Sequence, residues 1–90
     1  MTIVNIPAPF REHTQGQHRV QVEGKTVGEG IAHLILQHPG LARIRDDQTG
    51  AIKRQIGVYF GDEDIHFLNR LETPLREGVE ISIVPAIAGG

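Results

Sequence analysis

Cysteine is absent from this 90-residue chain, and several kinds of chemistry leave with it. There can be no disulfide, no zinc–thiolate site, no iron–sulfur cluster and no cysteine nucleophile. A single domain of this size without covalent staples must hold together by packing alone. Tryptophan is absent too, and the aromatics are three Phe and one Tyr, so the core must be built from Val, Ile and Leu. An excess of positive charge is also missing. Nine Lys and Arg stand against 11 Asp and Glu, for a net charge of -2. A nucleic-acid footprint needs concentrated cations, and Lys25 and Lys53, the only lysines, cannot make a polybasic membrane patch. No nucleic-acid or membrane partner is expected. No apolar run approaches the roughly 20 residues of a membrane span, and no signal pattern opens the chain. A cytoplasmic location is the expectation.

What is present reads as alternating strands around one helix. Residues 3–6 are apolar apart from Asn5, with Val4 and Ile6 on one face. Pro7 and Pro9 end that strand, and Thr14-Gln15-Gly16-Gln17 is a turn. His18-Arg19-Val20-Gln21-Val22-Glu23 then alternates as a half-buried strand antiparallel to the first. Gly24-Lys25 breaks it. Thr26 stands three residues before Glu29, the spacing of a capping box. Val27, Ile31, Leu34 and Ile35 follow on one helical face, and Pro39-Gly40 stops the helix after His38. Leu41 and Ile44 extend a short helical turn, and residues 46–50 form a loop. Residues 55–60 alternate with Ile56, Val58 and Phe60 inward. Ile65-His66-Phe67 reads as a short strand, Leu68, Leu71 and Leu75 as anchors in an irregular stretch, and residues 79–84 as a last strand with Val79, Ile81 and Ile83 inward. The expected core is Val4, Ile6, Val20, Val22, Ile31, Leu34, Ile35, Ile56, Val58, Ile81 and Ile83. The fold class is α+β, one main helix across a mixed sheet of about five strands. Placing the last strand beside the first would make it a β-grasp.

The residues that could carry chemistry do not converge on a catalytic site. His13 and His18 are five apart, as are His33 and His38, whereas a helical metal pair wants i,i+4. Asp62-Glu63-Asp64 lacks the Gly and the closing Glu of a calcium loop. Gly28-Glu29-Gly30 is followed by no Lys-Ser/Thr and is no phosphate loop. Ser82, the only serine, sits inside a strand without a nucleophile-elbow context. The chain is expected to be a co-substrate or ligand of other proteins, not an enzyme, with no cofactor and no metal of its own.

The chain ends Ile83-Val84-Pro85-Ala86-Ile87-Ala88-Gly89-Gly90. Two closing glycines arise by chance in roughly one chain in 200 at average usage. Pro85 cannot donate a ladder hydrogen bond, so strand pairing should stop there. That divides the chain into a domain over residues 1–85 and a flexible tail over 86–90. A tail without side chains at its tip can thread a narrow channel into another protein's active site.

Together with Ile6-Pro7-Ala8-Pro9 and the helix start Thr26-Val27-Gly28-Glu29, this ending resembles the MoaD/ThiS family of ubiquitin-like sulfur carriers over nearly the whole chain, and the CysO-type branch most. The resemblance implies a β-grasp fold and a reactive terminal Gly90. An E1-like enzyme would consume ATP to adenylate the Gly90 carboxylate. Sulfur transfer would then give a thiocarboxylate that donates sulfur in biosynthesis. In the cysteine branch the further partners would be a cysteine synthase using pyridoxal phosphate and a metalloprotease. In the molybdopterin branch the partner would be the large subunit of molybdopterin synthase, this chain being the small one. A ubiquitin-like protein modifier and a non-activated β-grasp binding module stand as the other readings.

Docking also needs surface outside the tail tip. Arg19, Gln21, Tyr59, Ser82 and Val84 share the outward sheet face, with Tyr59 and Val84 its apolar members. The candidate partner-binding residues are therefore Tyr59, Val84, Ile87, Ala88 and Gly89. Ile87 reads as an anchor because an apolar residue in a tail has no core to join.

Overall fold

The computed structural model describes residues 1–85. Five strands form one sheet: β1 (Thr2–Asn5), β2 (Arg19–Val22), β3 (Ile56–Phe60), β4 (Glu63–Asp64) and β5 (Ile81–Pro85). Their order is β2-β1-β5-β3-β4. β1 runs antiparallel to β2 and parallel to β5, and β3 is antiparallel to both β5 and β4. The last strand thus lies beside the first, at the centre of the sheet, which is the β-grasp arrangement.

One helix, α1 (Val27–Gln37), crosses the sheet. Its start obeys the capping-box spacing. The Thr26 hydroxyl accepts from the Glu29 N–H at 3.1 Å, and the Glu29 carboxylate reaches back to the Lys25 N–H at 2.8 Å, one residue earlier than the usual reciprocal bond. Gly30 sits on the buried face of α1. A side chain there would reach ordinary contact with Ile81, Val22 and Leu75, at 3.4–3.5 Å.

The core joins Val4, Ile6, Val20, Val22, Ile31, Leu34, Ile56, Val58, Ile81 and Ile83, as the alternation requires. Ile35 is only partly buried, at the margin of the helix face. Val27, Leu41, Ile44, Phe60 and Ile65 are buried as well. Leu41 and Ile44 enter through a 3-10 segment, Pro39–Ile44, that follows α1 directly.

Two local expectations are corrected, and a further element appears. Residues 65–67 are not a strand. β4 is the pair Glu63–Asp64, and Ile65–Phe67 is a 3-10 turn whose start is capped by the Asp64 carboxylate accepting from the His66 N–H at 2.9 Å. The side-chain cap turns the chain away from the ladder, so Ile65 goes inward while His66 and Phe67 both face solvent. Val79 lies before β5, half-buried. Between β1 and β2 the chain makes a 3-10 segment, Ala8–Thr14, before the turn. There Gln15 and Gly16 both take positive φ, 57° and 83°. Among the described residues no helix is long and apolar enough to cross a membrane.

Candidate functional site

The outward face of the sheet is organised by one cross-strand row. Arg19 pairs with Asn5, Asn5 with Ser82, Ser82 with Tyr59 and Tyr59 with Asp64. The row traverses all five strands at a single level. Sequence alternation placed Arg19, Ser82 and Tyr59 on one face, and the register brings them into line.

At the centre of the row is a polar network. Asn5 Nδ2 donates to Glu80 Oε1 at 2.9 Å and to Ser82 Oγ at 3.2 Å. Arg19 Nη2 donates to Glu80 Oε2 at 2.8 Å. The amide of Asn5 and, next, the Arg19 guanidinium hold the Glu80 carboxyl below the ordinary 4.5 of a glutamate. Glu80 and Asn5 were not legible as partners in the sequence. They lie 75 residues apart, and only the parallel β1–β5 pairing brings them together.

Tyr59 and Val84, the two candidate docking residues within the described part of the chain, lie close to each other. Val84 stands opposite Gly57 on β3, and Gly57 is on the same face as Tyr59. A Cβ on Gly57 would lie 3.5 Å from Tyr59 Cε1 and 3.8 Å from the Val84 Cβ. The bare glycine therefore leaves the Tyr59 ring and the Val84 side chain as neighbours on one small apolar step. Val84 is 46% exposed and Tyr59 half-exposed. Gln21 lies on the same face, opposite Ile3.

Val84 is also one residue from the end of β5. Pro85 pairs with Ile56 and closes the ladder. β5 is the central strand; its first two residues pair with β1, and its last, Pro85, is held by β3. Gly90, Gly89, Ala88 and Ile87, the other candidate residues, lie outside the described residues. So does the flexible tail assigned to residues 86–90.

Apart from the terminal Met1, two exposed apolar side chains among the described residues escaped the sequence reading. Phe67 is 84% exposed and Leu36 80% exposed. Helical periodicity would have set Leu36 on the polar face of α1. Phe67 was misread through the strand that does not form. Among the described residues no three His, Asp or Glu side chains gather as a metal site. His33 instead accepts the Glu23 N–H at Nδ1, at 2.9 Å, and ties α1 to the end of β2.

This geometry recurs in known proteins. The model of the ThiS family matches residues 4–90. The sulfur carrier protein CysO of Mycobacterium tuberculosis is 37% identical over 89 residues, covering 97% of this chain and 96% of that protein. The crystal structure of the BexX/CysO complex of Amycolatopsis orientalis superposes with a TM-score of 0.90 at 37% identity, over 100% of both chains. SAMP1 of Haloferax volcanii, a small archaeal modifier protein, superposes at a TM-score of 0.79 and 28% identity, over 99% of this chain and 98% of that one. These relatives are named as sulfur carriers and small modifier proteins. With its β5 beside β1, its helix laid across the sheet and a family match running to the last residue, this chain belongs to the ThiS family of ubiquitin-like β-grasp proteins.

Proposed function

We propose that this protein is a sulfur carrier whose terminal Gly90 becomes a thiocarboxylate and supplies sulfur for the biosynthesis of cysteine. The observation that carries the reading is the end-to-end similarity to CysO, through a chain that closes in Gly89-Gly90. The fold supports it mechanically. A tail that must place one carboxylate in a partner's active site works best from a fixed base, and the central strand β5 supplies that base at Pro85.

The chemistry runs in two substitutions. A free carboxylate is a poor electrophile. An E1-like enzyme positions a Gly90 oxygen on the α-phosphorus of ATP; a P–O bond forms and pyrophosphate leaves. The resulting acyl-adenylate has AMP as its leaving group. Hydrosulfide adds to the acyl carbon, AMP departs with the C–O bond electrons, and loss of the S–H proton leaves Gly90 as C(=O)S⁻. That soft nucleophile attacks the acceptor bound in a synthase using pyridoxal phosphate, and a metalloprotease frees the amino acid from the tail. ATP belongs to the activating enzyme, and this chain supplies the carboxylate, the reach and the docking face.

A second reading, attachment to protein lysines, is favoured by the likeness to SAMP1. It shares the adenylate and differs in the nucleophile. Transfer to the large subunit of molybdopterin synthase would share the thiocarboxylate. Intact mass after incubation with ATP, the activating enzyme and a sulfide source tests the proposal. Replacement of one oxygen by sulfur at Gly90, followed by turnover with the cysteine synthase, is expected. An unchanged mass would leave a non-activated binding module. A thiocarboxylate that only molybdopterin synthase consumes would move the protein to that branch.

A further inference from the structure

Where the tail leaves the domain, the surface is cationic. Pro85, the last residue of β5, lines an open groove with Phe10, Arg43, Lys53, Gln55 and Ile56. Among the described residues no acidic side chain lines it. Arg43 is exposed and Lys53 half-exposed, and among the described residues neither takes part in an ion pair. The Arg43 Nε–H is donated to the Gly40 carbonyl at 3.2 Å, which steadies the guanidinium stem. The two cations come from adjoining stretches of backbone. The Lys53 N–H bonds to the Ile44 carbonyl at 2.9 Å, and Arg45 pairs with Ile52. Arg43, Arg45, Lys53 and Arg54 make four of the chain's nine cations, in a protein whose net charge is -2. The nearest acids in sequence, Asp46 and Asp47, stand at the tip of this ribbon. The Asp46 carboxylate there is taken up by the N–H groups of Gln48 and Thr49.

From this placement we propose that the groove beside Pro85 receives an acidic rim on the activating enzyme, at the mouth of the channel that takes the tail. The proposal rests on the carrier function above and adds the chemistry of the partner surface. Five residues separate Pro85 from the end of Gly90 and span at most about 17 Å. An enzyme that holds Gly90 at its nucleotide must begin its wall at the root of the tail, and that wall faces the groove. Asp and Glu side chains on the rim would meet Arg43 and Lys53, with Phe10 and Ile56 as an apolar floor. Charges at such a rim steer encounter and fix orientation, and their effect fades as salt screens them. The groove lined by Phe60, Glu63, Phe67 and Arg76 lies at the other end of β3 from Pro85 and holds both signs of charge.

The test is ATP–pyrophosphate exchange by the activating enzyme with full-length chains carrying Arg43→Glu, Lys53→Glu or both. Arg76→Glu serves as a reversal of equal charge at the far end of the sheet. The double variant is expected to lose about tenfold or more in kcat/KM at low salt, through KM, with the deficit shrinking as salt rises past roughly 0.3 M. Arg76→Glu should stay within about twofold of the parent. A double variant equal to the parent, or a loss that salt does not relieve, overturns the acidic rim. Arg43→Glu alone decides the matter should Lys53→Glu disturb the fold. The Gly90 amide resonance of the free double variant should match the parent's. If it moves, the chain's own carboxylate occupies the groove and the proposal fails. A parent chain that supports no exchange at all would instead remove the carrier function, a result distinct from a parent that works equally well with its groove reversed.

Discussion

Asn5 and Ser82 stand side by side across the parallel β1–β5 pair, 77 residues apart in sequence, with Asn5 Nδ2 donating to Ser82 Oγ at 3.2 Å. The same amide donates to Glu80, which Arg19 engages from β2. First and last strands are thereby joined through side chains as well as backbone. The polar row lies beside the Tyr59–Val84 step, so the network that aligns β1 with β5 borders the two candidate docking residues.

Acid should loosen this junction. The Glu80 carboxyl is held below 4.5, first by the Asn5 amide and then by Arg19. Asp64 is likewise held below 3.8, first by the His66 backbone N–H. Both groups bind protons more readily when unfolded. Their stabilisation is therefore present above the unfolded values and lost as pH falls through the lowered folded ones. Thermal melts at decreasing pH should show the loss beginning below about pH 4.5, with a shallower acid limb in Glu80→Gln. Superposable limbs for parent and variant would detach Glu80 from the acid transition.

Leu34 reports the helix register. It is fully buried on the face of α1 that meets the sheet. Leu34→Ala should cost about 2–5 kcal/mol, the transfer loss plus the cavity left behind. A loss below about 0.5 kcal/mol in denaturant melts would mean that another residue fills this position.

Gly24 is required by crowding. The chain arriving from β2 passes so close to α1 that a Cβ on Gly24 would lie 2.7 Å from the Glu29 Cβ and 3.0 Å from the Gly30 nitrogen. The obstacle is largely helix backbone, which cannot rotate aside. Gly24→Ala should destabilise by about 1–3 kcal/mol and weaken the Lys25–Glu29 bond. Chemical denaturation measures the cost, and a neutral outcome would require the β2–α1 connection to sit farther from the helix.

Strand alternation and the capping residues were readable because each is encoded within a few residues. Val20, Val22, Ile56 and Val58 take the expected face, and Thr26 caps where its spacing to Glu29 says. Residues 65–67 were misread because three residues carry no period. An Asp cap competes there with the ladder, and only the position of β3 decides the outcome. The Asn5–Glu80 bond was invisible for a different reason. It depends on which strand lies beside β1, and alternation specifies a face without specifying a neighbour. Of the candidate docking residues, Tyr59 and Val84 were found by face. Their contact across Gly57 depends on the β3–β5 register, which the sequence does not display.

Tyr59→Ala should separate docking from folding. The ring covers Gly57 and borders Val84 on a face otherwise lined by Asn5, Arg19 and Ser82. Exposed aromatics on such faces often dominate an interface. Affinity for the activating enzyme, measured by calorimetry, should fall about tenfold or more. Far-ultraviolet circular dichroism should match the parent's. Unchanged affinity would remove Tyr59 from the docking surface.

The tail allows the sharpest test. Reacting atoms must approach to about 3–3.5 Å, and a misplacement near 1 Å can cost on the order of 100-fold in rate. Deleting Gly90 leaves the same glycyl carboxylate at Gly89 but shortens the reach by roughly 3.5 Å, far beyond that tolerance. Gly89→Val keeps the length but adds a β-branched side chain one residue from the reacting carbon and narrows the accessible φ and ψ. Both positions lie beyond the described residues, whose core joins side chains from Val4 to Ile83. The melting temperature of both variants should therefore stay within about 2 °C of the parent's, while ATP–pyrophosphate exchange and thiocarboxylate formation are abolished. The pairing of intact stability with lost activation is what distinguishes a threaded terminus from a merely damaged protein. Should either variant be activated at the parental rate, the terminal glycines are incidental and Gly90 is not the sulfur-bearing residue.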